Sequence, residues 1–298
     1  MEKSSQSDLF SPIVRNEALM GPFLLVARLM IASLFVYYVR NFLSGGRAAQ
    51  SDIPSWVLYA LLAFECIGTA MVAVGYKARL AALAMAAYCI GTTLIFDGSK
   101  GWAGVFMTHT LKDLAVAAGF LFLYANGPGP LSVDGSRGRC QAASSIQTTM
   151  PTTGISMGLL LLAGRVMAAT LFFYFGNNKI FHNASSRRYM VQHNPAVPVE
   201  LLNLAILVLI IASVLMAVGY KTRYAALALA GFCLIATALF HAPMGTPAEM
   251  DHVFLDVSIA GGLLFLFVHG PGWLSVDARQ GLSLPAGQGT EALSAKGL

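Results

Sequence analysis

The chain states the same pattern twice, in apolar stretches long enough to cross a membrane. MVAVGYKARLAALAMAAY at Met71 to Tyr88 returns as LMAVGYKTRYAALALAGF at Leu215 to Phe232, and ANGPGPLSVD at Ala125 to Asp134 returns as VHGPGWLSVD at Val268 to Asp277. The copies are offset by about 143 to 144 residues, while Arg28 and Arg165 match with an offset of 137, so the first connection differs in length by about seven. Self-similarity at a fixed period is the signature of a duplicated structural unit, and in a membrane it predicts two halves related by pseudosymmetry.

A chain of 298 residues that is 56% hydrophobic and only 11% charged is too apolar for an ordinary soluble domain. Eight windows have the length of a bilayer span: roughly 21–39, 56–75, 79–96, 106–124, 157–176, 200–218, 223–240 and 252–268. The expected fold is therefore an all-α membrane protein with eight transmembrane helices arranged as two parallel four-helix repeats. An even number of helices per repeat gives both copies the same orientation, with a groove expected between them. The predicted divisions are an N-terminal segment 1–20, a first module 21–134, a linker 135–154, a second module 155–278 and a tail 279–298.

Lys and Arg in the flanks set the orientation. With the N-terminus inside, ten basic residues face the cytoplasm (Lys3, Arg15, Lys77, Arg79, Arg137, Arg139, Lys221, Arg223, Arg279, Lys296) and six lie outside (Arg40, Arg47, Lys100, Lys179, Arg187, Arg188). The short Gly-Tyr-Lys-x-Arg turns hold their charges at the membrane edge, so both termini are expected to be cytoplasmic in a bacterial-type inner membrane. No cleavage site follows the first apolar stretch, which is interrupted by Arg28 and is expected to remain as a span.

Of the four cysteines, Cys66, Cys89 and Cys233 fall in predicted spans and Cys140 in the linker, which is no disulfide framework. There is no Cys-x-x-Cys, haem-attachment or zinc spacing, so no metal site or covalently bound cofactor is expected. The formal charge of +5 accompanies no nucleic-acid motif, and anionic lipid headgroups are the natural partners of the basic flanks. Gly-Pro-Gly at 127–129 and 270–272 is expected to stop the fourth helix of each repeat at the cytoplasmic surface. The linker and the tail, rich in Ser, Gly and Gln or Ala, are expected to be weakly ordered tethers. The polar stretch from about 183 to 198 is expected to be a solvated outer loop. Tyr37, Tyr38, Trp56, Trp102, Tyr174 and Trp273 are expected at the membrane interfaces.

Charges inside spans are costly, so they carry the functional candidates. Arg28 and Arg165 occupy matching places in the first spans, and Glu65 lies near the centre of the second. The fourth spans hold His109, Lys112 and Asp113 in one copy and His252 and Asp256 in the other. His-x-x-x-Asp thus occurs in both halves, with its side chains one turn apart on a helix face. Three readings stand. Arg28 can pair with Glu65 or Asp113, and Arg165 with Asp256, purely to fix packing. The arginines, lysines and histidines can instead hold an anionic or quinone-like head group, with histidine or carboxylate moving protons. Alternatively, His109, Asp113, His252 and Asp256 can meet around a metal.

The repeats are unequal. Glu65 aligns with Leu209 and Lys112 with Leu255, while GNNKIFHN at Gly176 to Asn183 faces the looser VRNFLSGG of the first copy. Taken in order, the early Arg, Gly-x-x-Lys-x-Phe (Gly176, Lys179, Phe181), Gly-Tyr-Lys-x-Arg and Gly-Pro-Gly-x-Leu-Ser-x-Asp resemble the DoxX family. The resemblance covers about 20–135 and 157–278, as two DoxX-like modules in tandem. The first copy departs from the pattern in lacking Gly-x-x-Lys-x-Phe.

What the resemblance implies is a likeness to the small membrane subunit of a thiosulfate:quinone oxidoreductase, with others of the family linked to redox-stress complexes. The leading expectation is an integral membrane subunit of a quinone-linked oxidoreductase system, receiving electrons from a partner protein. Arg28, Glu65, Lys112, Arg165 and Lys179 would contact an anionic substrate or quinone, and His109, Asp113, His252 and Asp256 would exchange protons. The alternatives are a non-enzymatic membrane scaffold or assembly factor, and a small-solute carrier using the groove between halves.

Overall fold

The computed structural model describes residues 17–44, 54–97, 105–137 and 151–280. The expectations for the remaining parts of the N-terminal segment, linker and tail, and for Cys140 and Trp102, lie outside these residues. Eight long helices follow the predicted windows: α1 (Glu17–Leu43), α2 (Ser55–Val74), α3 (Ala78–Thr92), α4 (Val105–Asn126), α5 (Pro151–Phe181), α7 (Leu201–Val218), α8 (Thr222–Ala236) and α9 (Pro247–His269), with a short helix α6 (Asn183–His193) after α5. Seven stretches are long and apolar enough to cross a membrane. The exception is α4, whose 22 residues include His109, Lys112 and Asp113. No strand occurs among the described residues.

The helices make a closed ring. Neighbours in sequence pack in turn: α1 on α2, α2 on α3, α3 on α4, then α5 on α7, α7 on α8 and α8 on α9. The ring is completed between the halves, because α4 packs on α5 and α9 packs on α1. Within the first half, by contrast, α1 and α4 scarcely touch. Each half is thus an open row whose first helix is covered by the other half's fourth, and one continuous core of buried residues runs through both.

Across the ring α4 meets α9 directly. Gly119 and Gly262 oppose one another so closely that a Cβ on Gly262 would stand 2.6 Å from the Gly119 Cα, and one on Gly119 would stand 3.0 Å from the Gly262 Cα. One residue earlier, a Cβ on Gly261 would come 2.7 Å from the Ala27 carbonyl oxygen of α1. Small residues let membrane helices approach backbone to backbone, where dispersion and weak backbone contacts replace the missing hydrophobic drive. Nearby, Ser258 donates a hydrogen bond of 3.2 Å to the Ile31 carbonyl. The expected groove between halves is therefore filled at this level by a helix crossing. α4 and α9 run in the same direction, as the ordered contacts Lys112 to His252 and Gly119 to Gly262 require, which gives the repeats a common orientation.

Three local expectations are corrected. α5 begins at Pro151, inside the stretch read as linker. Residues 183–193 are helical, not loop, because Met190 is buried and Arg187 Nε donates to Asn183 Oδ1 one turn earlier at 2.8 Å. Tyr37 is buried, stacked on Phe254 with centroids 4.6 Å apart and donating to the Pro247 carbonyl at 3.1 Å, so it serves the α1–α9 contact and not an interface belt.

If the α4–α9 crossing closes the ring, Gly262→Val must force the two backbones apart. Overpacking of this kind costs about 1–3 kcal/mol. Thermal melting in detergent should show the variant's midpoint several degrees below wild type, and an unchanged midpoint would refute the close crossing.

Candidate functional site

At one end of the bundle the repeated motifs lock together, once in each half. The Gly-Tyr-Lys turn between the second and third helices needs left-handed backbone at Gly75 (φ 76°) and at Lys77 (φ 44°), and the second copy repeats this at Gly219 (φ 77°) and Lys221 (φ 47°). A lysine in that region is strained unless its surroundings hold it. Asp134 supplies the hold, its carboxylate accepting from the Lys77 N–H at 3.1 Å and the Ala78 N–H at 2.8 Å. Asp277 does the same for Lys221 at 2.7 Å and Thr222 at 2.9 Å. These are orphan donors at the N-termini of α3 and α8, where a negative charge also complements the helix dipole. The backbone N–H groups of Asp134 and Asp277 donate in turn to the Gly75 and Gly219 carbonyls, both at 2.9 Å.

The arginines complete this clamp. Arg28 donates through Nη2 to the Leu131 carbonyl, and Arg165 to the Leu274 carbonyl. Both side chains are fully buried, and a Cβ on Gly75 or Gly219 would overlap the guanidinium. The Arg28 head group therefore lies at the Gly75 turn, ten residues and roughly 15 Å along α2 from Glu65. Arg165 feels the charge of Asp277. The pairings of Arg28 with Glu65 or Asp113 and of Arg165 with Asp256 are corrected accordingly: both arginines hold turn carbonyls. Gly-Pro-Gly does end α4 and α9, with left-handed glycines, and Gly127, Pro128, Gly270 and Pro271 are buried within the bundle.

The opposite end holds the polar cluster. α3 and α8 each run into one π-helical turn, Thr93–Asp97 and Thr237–His241, a geometry that often accompanies functional sites. In the first half Thr93 Oγ1 donates to Asp113 Oδ2 at 3.3 Å, and in the second Thr237 Oγ1 donates to Asp256 Oδ2 at 3.2 Å. Beyond that shared pair the halves differ. Glu65, 6% exposed, accepts from the Tyr88 hydroxyl at 2.6 Å.

In the second half, His241 Nδ1 lies 2.5 Å from Glu249 Oε2, and its Nε2 lies 3.9 Å from Asp256 Oδ2. Glu249 Oε1 is also 3.8 Å from His193 Nε2 on α6. Lys112, from α4 of the first half and 7% exposed, places its Nζ 2.9 Å from His252 Nδ1, so His252 accepts from the ammonium there. The same Nζ lies 5.8 Å from the centre of the Phe175 ring. Lys179 is within electrostatic reach of Asp256 and Lys112, and His109 within that of His252.

α6 closes over this cluster. Tyr189 stacks on His193 with centroids 3.8 Å apart, its hydroxyl is 3.5 Å from His241 Nδ1, and Asn194 donates to the Leu239 carbonyl at 3.1 Å. Burial, then the charges of Glu249 and Asp256, push the Tyr189 phenol up to about 12, so it remains a neutral hydroxyl at ordinary pH.

The structure thus gathers Lys112, Lys179, His252 and Asp256, with His109 near, and sends Arg28 and Arg165 to the clamps. Glu65 and Asp113 belong to the first-half polar pairs. His193, on the polar stretch after α5, joins the cluster, and so do His241, Glu249 and Tyr189, which the sequence reading does not select, although Thr-Pro-Ala-Glu at 246–249 is a legible capping box that puts Glu249 in the first turn of α9. Among the described residues no group of three or more His, Cys, Asp or Glu side chains is arranged to hold a metal ion. An apolar groove of about 400 Å³, lined by residues including Leu19, Phe23, Val26, Leu264 and Phe267, lies at the clamp end, far from the cluster.

Two interlocked helical rows, sealed by buried arginines and carrying a polar cluster between apolar spans, define a duplicated integral membrane protein. The DoxX family profile matches residues 23–98 and 160–242, more than half of the chain, and the chain belongs to that family. It is similar to the inner membrane protein YqjF of Escherichia coli (strain K12), 32% identical over 117 residues, covering 39% of this chain and 88% of the relative. It is also similar to the inner membrane protein YphA of the same organism, 27% identical over 131 residues, covering 42% of this chain and 94% of the relative. Each relative is therefore matched almost whole by less than half of this chain. No solved structure matches. The apolar helices and these relatives support an integral inner-membrane location.

Removing a capping carboxylate costs about 0.5–2 kcal/mol. Asp277→Ala should accordingly lower the melting midpoint in detergent while leaving His252 and its neighbours in place at the far end. A variant as stable as wild type would show that the clamp does not hold α8.

Proposed function

We propose that the protein is the integral membrane subunit of a quinone-linked oxidoreductase system, with the reducible head group held at the Lys112–His252–Asp256 cluster. The observation that carries this reading is the Lys112 to His252 contact of 2.9 Å, a buried cation and an imidazole brought together from opposite halves. Intramembrane ionisable groups are expensive, and their convergence marks a ligand or proton site. Quinone oxygens accept hydrogen bonds and, on reduction, gain charge and then protons. The donor set fits that chemistry. Lys112 and Lys179 supply cationic donors for the developing charge, while His252 and Asp256 offer groups that can hold a proton beside it. Electrons would come from a protein partner.

The carrier reading is disfavoured because α4 and α9 close the space between halves at Gly119 and Gly262. The scaffold reading is favoured by one specific feature, the two clamps, which spend both buried arginines on turn carbonyls. Both readings share the orientation set by the flanking lysines and arginines, with the termini and the clamps on the cytoplasmic side and the cluster on the other.

Quinone extracted from protein purified in mild detergent tests the site. Wild type should retain quinone, and Lys112→Met should bind it at least about tenfold more weakly, the loss expected for one hydrogen bond to a charged donor. Quinone-free wild-type protein would move the assignment to the scaffold. Orientation is checked independently with C-terminal reporters: a fluorescent-protein fusion should be bright and an alkaline phosphatase fusion inactive.

A further inference from the structure

His241 stands between two carboxylates and presents a different ring nitrogen to each. Nδ1 is 2.5 Å from Glu249 Oε2, and Nε2 is 3.9 Å from Asp256 Oδ2. Glu249 sits at the start of α9, partly exposed, with its other oxygen toward His193 of α6. Asp256 is almost two turns further along α9, beside Thr237, Lys112 and Lys179. The imidazole is the natural link between an outer and an inner acid, since one nitrogen can take a proton while the other gives one up.

We propose that Glu249, His241 and Asp256 form a proton relay leading from the α6 end of the bundle to the buried cluster. Water protonates Glu249. The Glu249 O–H bond then breaks as an N–H bond forms at His241 Nδ1. The resulting imidazolium releases its Nε2 proton to Asp256 Oδ2, after closing a gap about 1 Å longer than a hydrogen bond. The ring is left as the Nδ1–H tautomer and returns to its starting form by losing that proton to water and taking another from water at Nε2. Only protons move, and no oxidant or reductant is involved. The groups facing the outer carboxylate are His193, His241, His252 and Tyr189, and those facing the inner one are Thr237, His241, Lys112, Lys179, Cys233 and Tyr189.

Both halves have the π-helical turn, but the side chains for this step stand on the second. His241 is the last residue of the π-helical turn, which carries its ring toward α9, and Glu249 is placed by the Thr246 cap, whose Oγ1 accepts from the Glu249 N–H at 3.4 Å. The corresponding positions in the first repeat are Asp97 and Phe106, so the sequence puts neither the histidine nor the glutamate of the relay there. The relay serves the head-group site and rests on that reading for its purpose, but its test needs no quinone.

Infrared spectroscopy of the purified full-length protein in lipid nanodiscs after a pH jump reads the protonation of Asp256 directly, with Asp256→Asn identifying its band. Glu249→Gln and His241→Phe should each slow the appearance of that band at least tenfold, while Glu249→Asp should recover part of the rate and all three retain near-wild-type melting. Wild-type rates in both Glu249→Gln and His241→Phe would overturn the relay, and so would a wild-type Asp256 that shows no protonation between about pH 4 and 9, where carboxyl and imidazole groups exchange protons. Loss of quinone binding in Lys112→Met with normal Asp256 kinetics separates the head-group site from the relay.

Discussion

Each half of the structure is organised by one buried guanidinium. Arg28 and Arg165 have no exposure to solvent, and a charge buried in protein without polar partners is costly. They are tolerated because the chain brings a carbonyl to each: Leu131 or Leu274, from a turn that can reach inward only because Gly-Pro-Gly has ended the preceding helix. The same turn delivers Asp134 or Asp277 to the orphan N–H groups of the third helix, which in turn holds a left-handed lysine. Arginine, glycine turn, Gly-Pro-Gly and aspartate are therefore one device. Substituting any member leaves polar groups of the others unsatisfied at a depth where that is costly. In each half the device fixes the ends of the second, third and fourth helices and leaves the far ends free to vary.

That freedom is used because the halves are interdependent. If α1 packed against α4, each repeat would be a self-contained bundle with its own interior. Instead α1 is covered by α9 and α5 by α4, and α4 and α9 touch at paired glycines. A side chain on α4 can then reach the second half's interior, as Lys112 does when it meets His252. A change in one repeat becomes a change in the other's environment, so two copies that began alike can build one mixed site.

Much of this was legible. The duplication, the helices to within a few residues, the shared orientation and the helix-ending role of Gly-Pro-Gly follow from period, length and composition. Depth was legible too, but the identity of contacts was not. Arg28 and Glu65 both sit inside spans, yet an arginine side chain reaches along its helix, and this one reaches the Gly75 turn, away from Glu65. His-x-x-x-Asp looks like a unit in the sequence because spacing puts both residues on one face. In the folded chain His252 turns to Lys112 and Asp256 to Thr237 and His241, since a helix face meets several neighbours. The helical state of 183–193 was hidden by its polarity. What stabilises α6 is the burial of Met190 and the contacts of Tyr189, His193 and Asn194, all tertiary. Local pattern has no access to those.

The inequality of the repeats then acquires a physical sense. Both keep the clamp, and both keep the threonine of the π-helical turn bound to the fourth helix's aspartate. What differs lies at the far end, where the first half offers Lys112 across the ring and keeps Glu65 with Tyr88, while the second surrounds Asp256 with histidines beneath α6. A pair of identical halves would place two equal sites around the axis, and a proton or a head group would have no preferred side. Divergence at one end, on a scaffold pinned at the other, gives the duplicated chain a single polar pole without disturbing the packing that holds it in the membrane.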